Sequence, residues 1–252
     1  MKRVQLAAVG WAGAGVALVL LIGLLDVEWS TTPLPATGWV AAAAYLVVSN
    51  ALLVRGLQRR RADRFGPANI VTSMRSTLVG LITGLVVASF TGAVPVPLLV
   101  GLVIPALALD AVDGWVARRT RTASELGARF DMEVDAFLLL VLSVYVAPEL
   151  GVWVLAIGGL RYAFVAAGWL LPWLRAPLPY RYWRKVVTAY AGVALAVACS
   201  GLVPGVAIVL VAGALALLVE SFGRDVIWLV RQCRRERREL EAAEGARGAL
   251  LR

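Results

Sequence analysis

Eight apolar runs divide this chain, and arginines gather in every second gap between them. The runs cover about 4–25, 37–54, 70–92, 96–117, 128–147, 151–171, 185–201 and 204–222. A helix rises 1.5 Å per residue, so roughly 20 apolar residues cross the ~30 Å hydrocarbon core of a bilayer. Inside that core every backbone N–H and C=O needs an internal partner, and a continuous helix supplies one. The chain is 60% hydrophobic, against roughly 45–50% for a soluble domain. The pattern predicts an all-α integral membrane protein with about eight spans.

Charge sets the direction of those spans. With Lys2 and Arg3 on the cytoplasmic side, the inside loops hold Arg55, Arg59, Arg60, Arg61 and Arg64, then Arg118, Arg119 and Arg121, then Arg175, Arg181, Arg184 and Lys185. The outside loops, at about 26–36, 93–95, 148–150 and 202–203, contain no Lys or Arg. This is the positive-inside asymmetry, and it predicts both termini in the cytoplasm. The formal net charge of +9 is dispersed between apolar runs rather than gathered in one patch, which argues against a nucleic-acid partner. The first run is too long for a signal-peptide core and lacks a small-residue cleavage site, so it is expected to stay as a helix. With no organelle-targeting segment and compact helical hairpins, a bacterial inner membrane is the expected location. Trp29, Trp39, Trp153, Trp169, Trp173 and Trp183 fall near predicted interfaces, where indoles anchor helices.

Four parts follow. Residues 1–54 form an N-terminal transmembrane hairpin, and 55–68 a basic linker that either rests on anionic headgroups or only sets topology. Residues 69–230 form a six-helix core, and 231–252 a charged cytoplasmic tail, expected as a solvated helix along the membrane surface.

Within the core, Asp110, Asp113, Asp131 and Asp135 stand at the inner ends of two successive runs. Intramembrane carboxylates are costly and mark function. Spacings of three and four place each pair on one face of its helix. Two facing helices would then aim four carboxylates at one point. The chain has no histidine, and Cys199 and Cys233 lie in unlike surroundings, an apolar run and a basic tail, so the metal chemistry open to it is that of oxygen ligands. Carboxylate oxygens suit Mg²⁺ or Mn²⁺, and two such ions can clamp a diphosphate. Gly114, Ala117 and Gly127 leave room for a ligand or a neighbouring helix, and Arg118 can grip phosphate through its planar fork. Glu133 lies about 200° around the helix from Asp131. It is expected to pair with a basic residue such as Arg129, or to face a partner.

Asp110, Asp113, Gly114, Ala117, Arg118, Gly127, Asp131 and Asp135 match every specified position of D-x2-D-G-x2-A-R, eight residues, G-x3-D-x3-D. This segment resembles the signature of the CDP-alcohol phosphotransferase family. Upstream, Asn69, Thr72 and Arg75 are similar to the family's Asn-x2-Thr-x2-Arg entry to its first core helix. The likeness covers roughly residues 66–225 and leaves the N-terminal hairpin outside. It implies a six-helix transmembrane core and the transfer of a phosphatidyl group from CDP-diacylglycerol to an alcohol, with release of CMP. It further implies Asp110, Asp113 and Asp131 as ligands to two divalent ions. Asp135 would be the general base and touch the second metal. Asn69, Thr72, Arg75, Gly114, Ala117, Arg118 and Gly127 would line the CDP site, and a homodimer is implied as well.

The acceptor is less defined. Arg161 lies near the middle of its run, where an unpaired charge is costly, so it is expected to meet a carboxylate or a ligand phosphate. Arg181, Arg184 and Lys185 gather at the mouth of the next run, and Lys185 with Thr188 faintly resembles a Lys-x2-Thr feature of phosphatidylglycerophosphate synthase-like members. These residues would suit a phosphorylated acceptor such as glycerol 3-phosphate or inositol phosphate; topology and internal ion pairing account for them equally well. Glu220, Arg224 and Asp225 are expected to form an internal polar cluster. The rival function is an intramembrane metal-ion or proton transporter using the aspartates. A pathway of that kind needs acids in the outer half of the core helices, and the sequence places none there.

Overall fold

The computed structural model describes residues 34–59, 67–120, 125–176, 178–179 and 181–250, together with the helical positions 10, 13, 15 and 17. The expected first span, 4–25, lies almost wholly outside the described residues. From residue 34 onward they form seven α-helices and two short 3₁₀ turns: α1 (Ala36–Arg59), α2 (Pro67–Ala88), α3 (Val96–Thr120), α4 (Glu125–Leu150), the turn Val152–Val154, α5 (Leu155–Leu170), the turn Pro172–Arg175, α6 (Tyr182–Ser200) and α7 (Pro204–Leu250). No strand occurs among the described residues.

Local chemistry explains where these helices begin and end. Pro67 and Pro204 open α2 and α7, at positions where a missing N–H costs nothing. Gly151 (φ 103°) follows α4 and Gly201 (φ 64°) caps α6. Both take the positive φ that glycine alone adopts freely.

Four described helical stretches are long and apolar enough to cross a membrane: Ala36–Arg55, Val71–Ala88, Val152–Leu170 and Pro204–Glu239, with Val96–Asp110 a shorter apolar helix. The protein is therefore a multi-pass membrane protein in build. Large apolar side chains also cover the outside, with Trp169 73% and Leu170 83% exposed, as a hydrocarbon solvent permits. The interior is packed from Val79, Ile82, Leu99, Val103, Leu138, Leu142, Leu195 and Val211, among others.

Two features depart from the sequence expectation. The charged tail is not a separate surface element, because α7 runs unbroken for 47 residues, or about 70 Å. No proline interrupts it after Pro204, and the tail is rich in Arg, Glu, Leu and Ala, all good helix formers. Among the described residues, the aspartate-bearing helices α3 and α4 also scarcely pack on each other. Among the described residues each packs instead on both α2 and α6, so α3 and α4 occupy one diagonal of a four-helix arrangement and α2 and α6 the other.

Glycines allow the close crossings. A Cβ at Gly38 would come 2.7 Å from the Gly84 carbonyl oxygen, and one at Gly84 would come 2.8 Å from that of Gly38. The backbones of α1 and α2 thus meet directly, the small-residue mode by which helices associate in lipid. The α4–α5 contact is tighter still, since a Cβ at Gly158 would sit 2.2 Å from the Leu140 Cα.

Candidate metal and phosphate site

Asp110 stands on α3, and Asp131 and Asp135, one turn apart, stand on one face of α4. Their carboxylate oxygens reach across the diagonal until one from each lies within 4.8 Å of the others. Such convergence of like charge requires a cation. Within the protein that cation is Arg75, which enters from α2 and whose side chain is wholly buried.

The Arg75 guanidinium divides its donors among the three acids. Nη1 donates to Asp110 Oδ1 at 2.7 Å. Nη2 donates to Asp131 Oδ1, and to the Asp131 carbonyl oxygen at 3.3 Å. The same nitrogen lies 3.3 Å from Asp135 Oδ1. The acids are more open than the arginine, with side chains 41%, 26% and 24% exposed for Asp110, Asp131 and Asp135. The guanidinium therefore closes the inner side of the cluster, and the carboxylates look outward. The set gathers three carboxylate oxygens within 4.8 Å, and all-oxygen donors are the chemistry of a hard divalent cation site.

The other expected residues are distributed as follows. Thr72 is buried one turn before Arg75 on α2. Asp113, Gly114, Ala117 and Arg118 continue the helical backbone of α3, Asn69 lies in the first turn of α2, and their side chains fall outside those described. Gly127 is half-buried in the first turn of α4. Arg161 pairs with Glu133, and its Nη1 lies 3.3 Å from the Met132 sulfur. This one pair meets the expectations for both residues, and the Arg129 side chain lies outside those described. Arg184 donates to Asp225 Oδ2 at 3.4 Å and to the Pro179 carbonyl, and Arg181 lies 4.0 Å from Asp225. Thr188 spends its hydroxyl on the Arg184 carbonyl at 2.9 Å, while Lys185 is exposed. Glu220 pairs with Arg224 one turn on. The expected polar cluster is therefore present, with Asp225 turned toward α6.

Sequence reasoning assigned Arg75 to the nucleotide and did not place it on the aspartates. A signal for the contact was available, since an arginine within an apolar helix needs a counter-charge at the same depth. Asp110, Asp131 and Asp135 were the nearest acids on the neighbouring runs.

A family model described as CDP-alcohol phosphatidyltransferase matches residues 65–219. The match takes in Arg75 and the four motif aspartates and leaves out α1. Comparison with curated proteins and with solved structures produced no match.

Proposed function

The chain belongs to the CDP-alcohol phosphatidyltransferase family, and on that footing we propose that it moves a phosphatidyl group from CDP-diacylglycerol to an alcohol in phospholipid synthesis, releasing CMP. The observation that carries this reading is the set of three carboxylates from two helices, held within 4.8 Å around a buried guanidinium. It is a place built to hold positive charge, at the residues of the family signature.

In this reading Asp110, Asp113, Asp131 and Asp135 would hold two divalent ions, Mg²⁺ or Mn²⁺. Bound there, the ions would neutralise the diphosphate and stabilise the departing CMP. The chain's own residues do the rest. Asp135 takes the proton of the acceptor hydroxyl. The acceptor oxygen forms its bond to the β-phosphorus of the CDP-lipid as the bond to CMP breaks. Arg118 offers a planar fork to phosphate oxygens, while Arg75, expected at the nucleotide from sequence, orients the carboxylates from the buried side. Asn69, Thr72, Gly114, Ala117 and Gly127 line the nucleotide's path.

The acceptor we favour is phosphorylated, such as glycerol 3-phosphate or inositol phosphate. Arg161, its side chain 27% exposed beside Glu133, offers positive charge to such a group. Arg184, Lys185 and Thr188 occupy the first two turns of α6 and would bind the same group.

We place the site on the cytoplasmic side of a bacterial inner membrane, in a homodimer with eight spans per chain and both termini inside. The loop charges support that orientation. Transport finds no support in the cluster, since the buried Arg75 closes its inner side.

The test is CMP release from CDP-diacylglycerol by the purified protein in detergent, with Mg²⁺ or Mn²⁺. The acceptors to screen are glycerol 3-phosphate, inositol 1-phosphate, inositol, serine and phosphatidylglycerol. Metal-dependent CMP release with one of them is expected. No release with any of them, under conditions where the protein stays folded, would overturn the assignment.

A further inference from the structure

Helix α1 lies outside the family match, which begins at residue 65, yet it reaches both α2, which carries Arg75, and α4, which carries Asp131 and Asp135. Its anchor to α2 is the glycine crossing at Gly38 and Gly84. Further along, Ser49 Oγ and Ser76 Oγ lie 3.1 Å apart in a buried pair, and Ser76 adjoins Arg75 in sequence.

Between these two points stands Tyr45. Its ring passes over Gly80 of α2, where a Cβ would come 3.3 Å from the Tyr45 Cδ1. The ring stacks on Phe137 of α4, with centroids 4.7 Å apart and planes 20° from parallel. Phe137 is two residues beyond Asp135. One aromatic ring therefore bridges the helix of the arginine and the helix of two of the acids. The bridge matters because, among the described residues, α3 and α4 hardly pack on each other. The spacing between Asp110 and the α4 acids is transmitted through the helices packed between them, and α2 is one of these.

We propose that Tyr45 is a positioning residue for the metal site. Its ring locks α4 against α2 and so holds Asp131 and Asp135 within reach of Asp110. This rests on the reading of the aspartates as a divalent-cation centre. Helix α1 is then a working part of the site rather than an accessory anchor.

The test is Mn²⁺ binding to the full-length protein in detergent, read by the loss of the free-ion paramagnetic resonance signal and corrected for the folded fraction. Tyr45→Phe keeps the stack and is expected to bind within about twofold of wild type. Tyr45→Ala removes it and is expected to bind at least tenfold more weakly. Val47→Ala, at an exposed position on the same helix, serves as the control and should leave binding unchanged. If Tyr45→Ala only lowers the melting temperature while its folded fraction binds Mn²⁺ as wild type does, the tyrosine is purely structural and the inference falls. If wild type binds no Mn²⁺, the metal-centre reading fails first, and the inference with it.

Discussion

Replacing Arg75 with methionine removes a buried cation that contacts all three acids while keeping most of the side-chain volume. Two unit charges about 4 Å apart interact by roughly 4 kcal/mol at an effective dielectric constant of 20. Arg75 faces three carboxylates, but their exposures of 24–41% admit water that weakens each contact. Breaking a buried ion pair by deleting one partner costs about 3–5 kcal/mol, and this is the loss expected for metal-free Arg75→Met. In a chain of this size, melting should fall by on the order of 10 °C. Mn²⁺ should reverse the sign of the effect. In wild type the ion must share oxygens with a fixed guanidinium; in the variant that competing positive charge is gone. Mn²⁺ is therefore expected to bind at least about tenfold more tightly, which is about 1.4 kcal/mol, and at saturation to restore at least that much more stability than it adds to wild type. The assay is a pair of measurements in detergent, thermal melting with and without Mn²⁺ and direct Mn²⁺ titration. CMP release should still collapse, because the three carboxylates lose the guanidinium that orients them. Equal or weaker Mn²⁺ binding in Arg75→Met would refute the idea that guanidinium and metal compete for the same carboxylates.

Asp135→Asn should abolish CMP release while leaving CDP-lipid binding within about threefold, because the amide keeps the shape and loses the base; full activity in a turnover assay would remove Asp135 from that role. Gly158→Val should destabilise the protein by about 1–3 kcal/mol, the usual cost of overpacking, since even a Cβ there would meet Leu140 backbone at 2.2 Å. Its neighbour Gly159, with nothing within 4 Å of a Cβ, should accept valine at far lower cost, and the two melting curves compare them directly. Arg161→Met should raise the KM for a phosphorylated acceptor at least tenfold with little change in that for CDP-diacylglycerol. Its stability cost should stay under about 1 kcal/mol, because the Glu133 side chain is 55% exposed. An unchanged acceptor KM would leave Arg161 as the structural partner of Glu133 alone.

The location of each described helix could be read from the sequence because it depends on local quantities. Apolar length, loop charge and the prolines at Pro67 and Pro204 act over a few residues, and the observed boundaries of α1 to α6 fall within a few residues of the predicted runs. The end of α7 was harder to read. Loss of hydrophobicity after residue 222 looked like the end of a segment, yet solvation alone does not break a helix that has internal hydrogen bonds and good helix formers.

The site divides along the same line. The sequence by itself determined that Asp131 and Asp135 share a helical face, that Asp110 lies at the matching depth and that such a set demands a cation. The 3.6-residue period and the cost of a charge in hydrocarbon are sufficient for all three. Only the tertiary structure decided that α3 and α4 face each other across a diagonal, that the Arg75 guanidinium sits among the acids, and that Tyr45 ties α1 to the helix beside them. Apolar helix faces resemble one another and resemble lipid, so the choice of neighbour rests on close backbone approach and on packing. Gly38 meeting Gly84, Gly158 meeting Leu140 and Tyr45 meeting Phe137 are contacts between residues distant in the chain, and no local pattern specifies which residue will fill the space that another leaves.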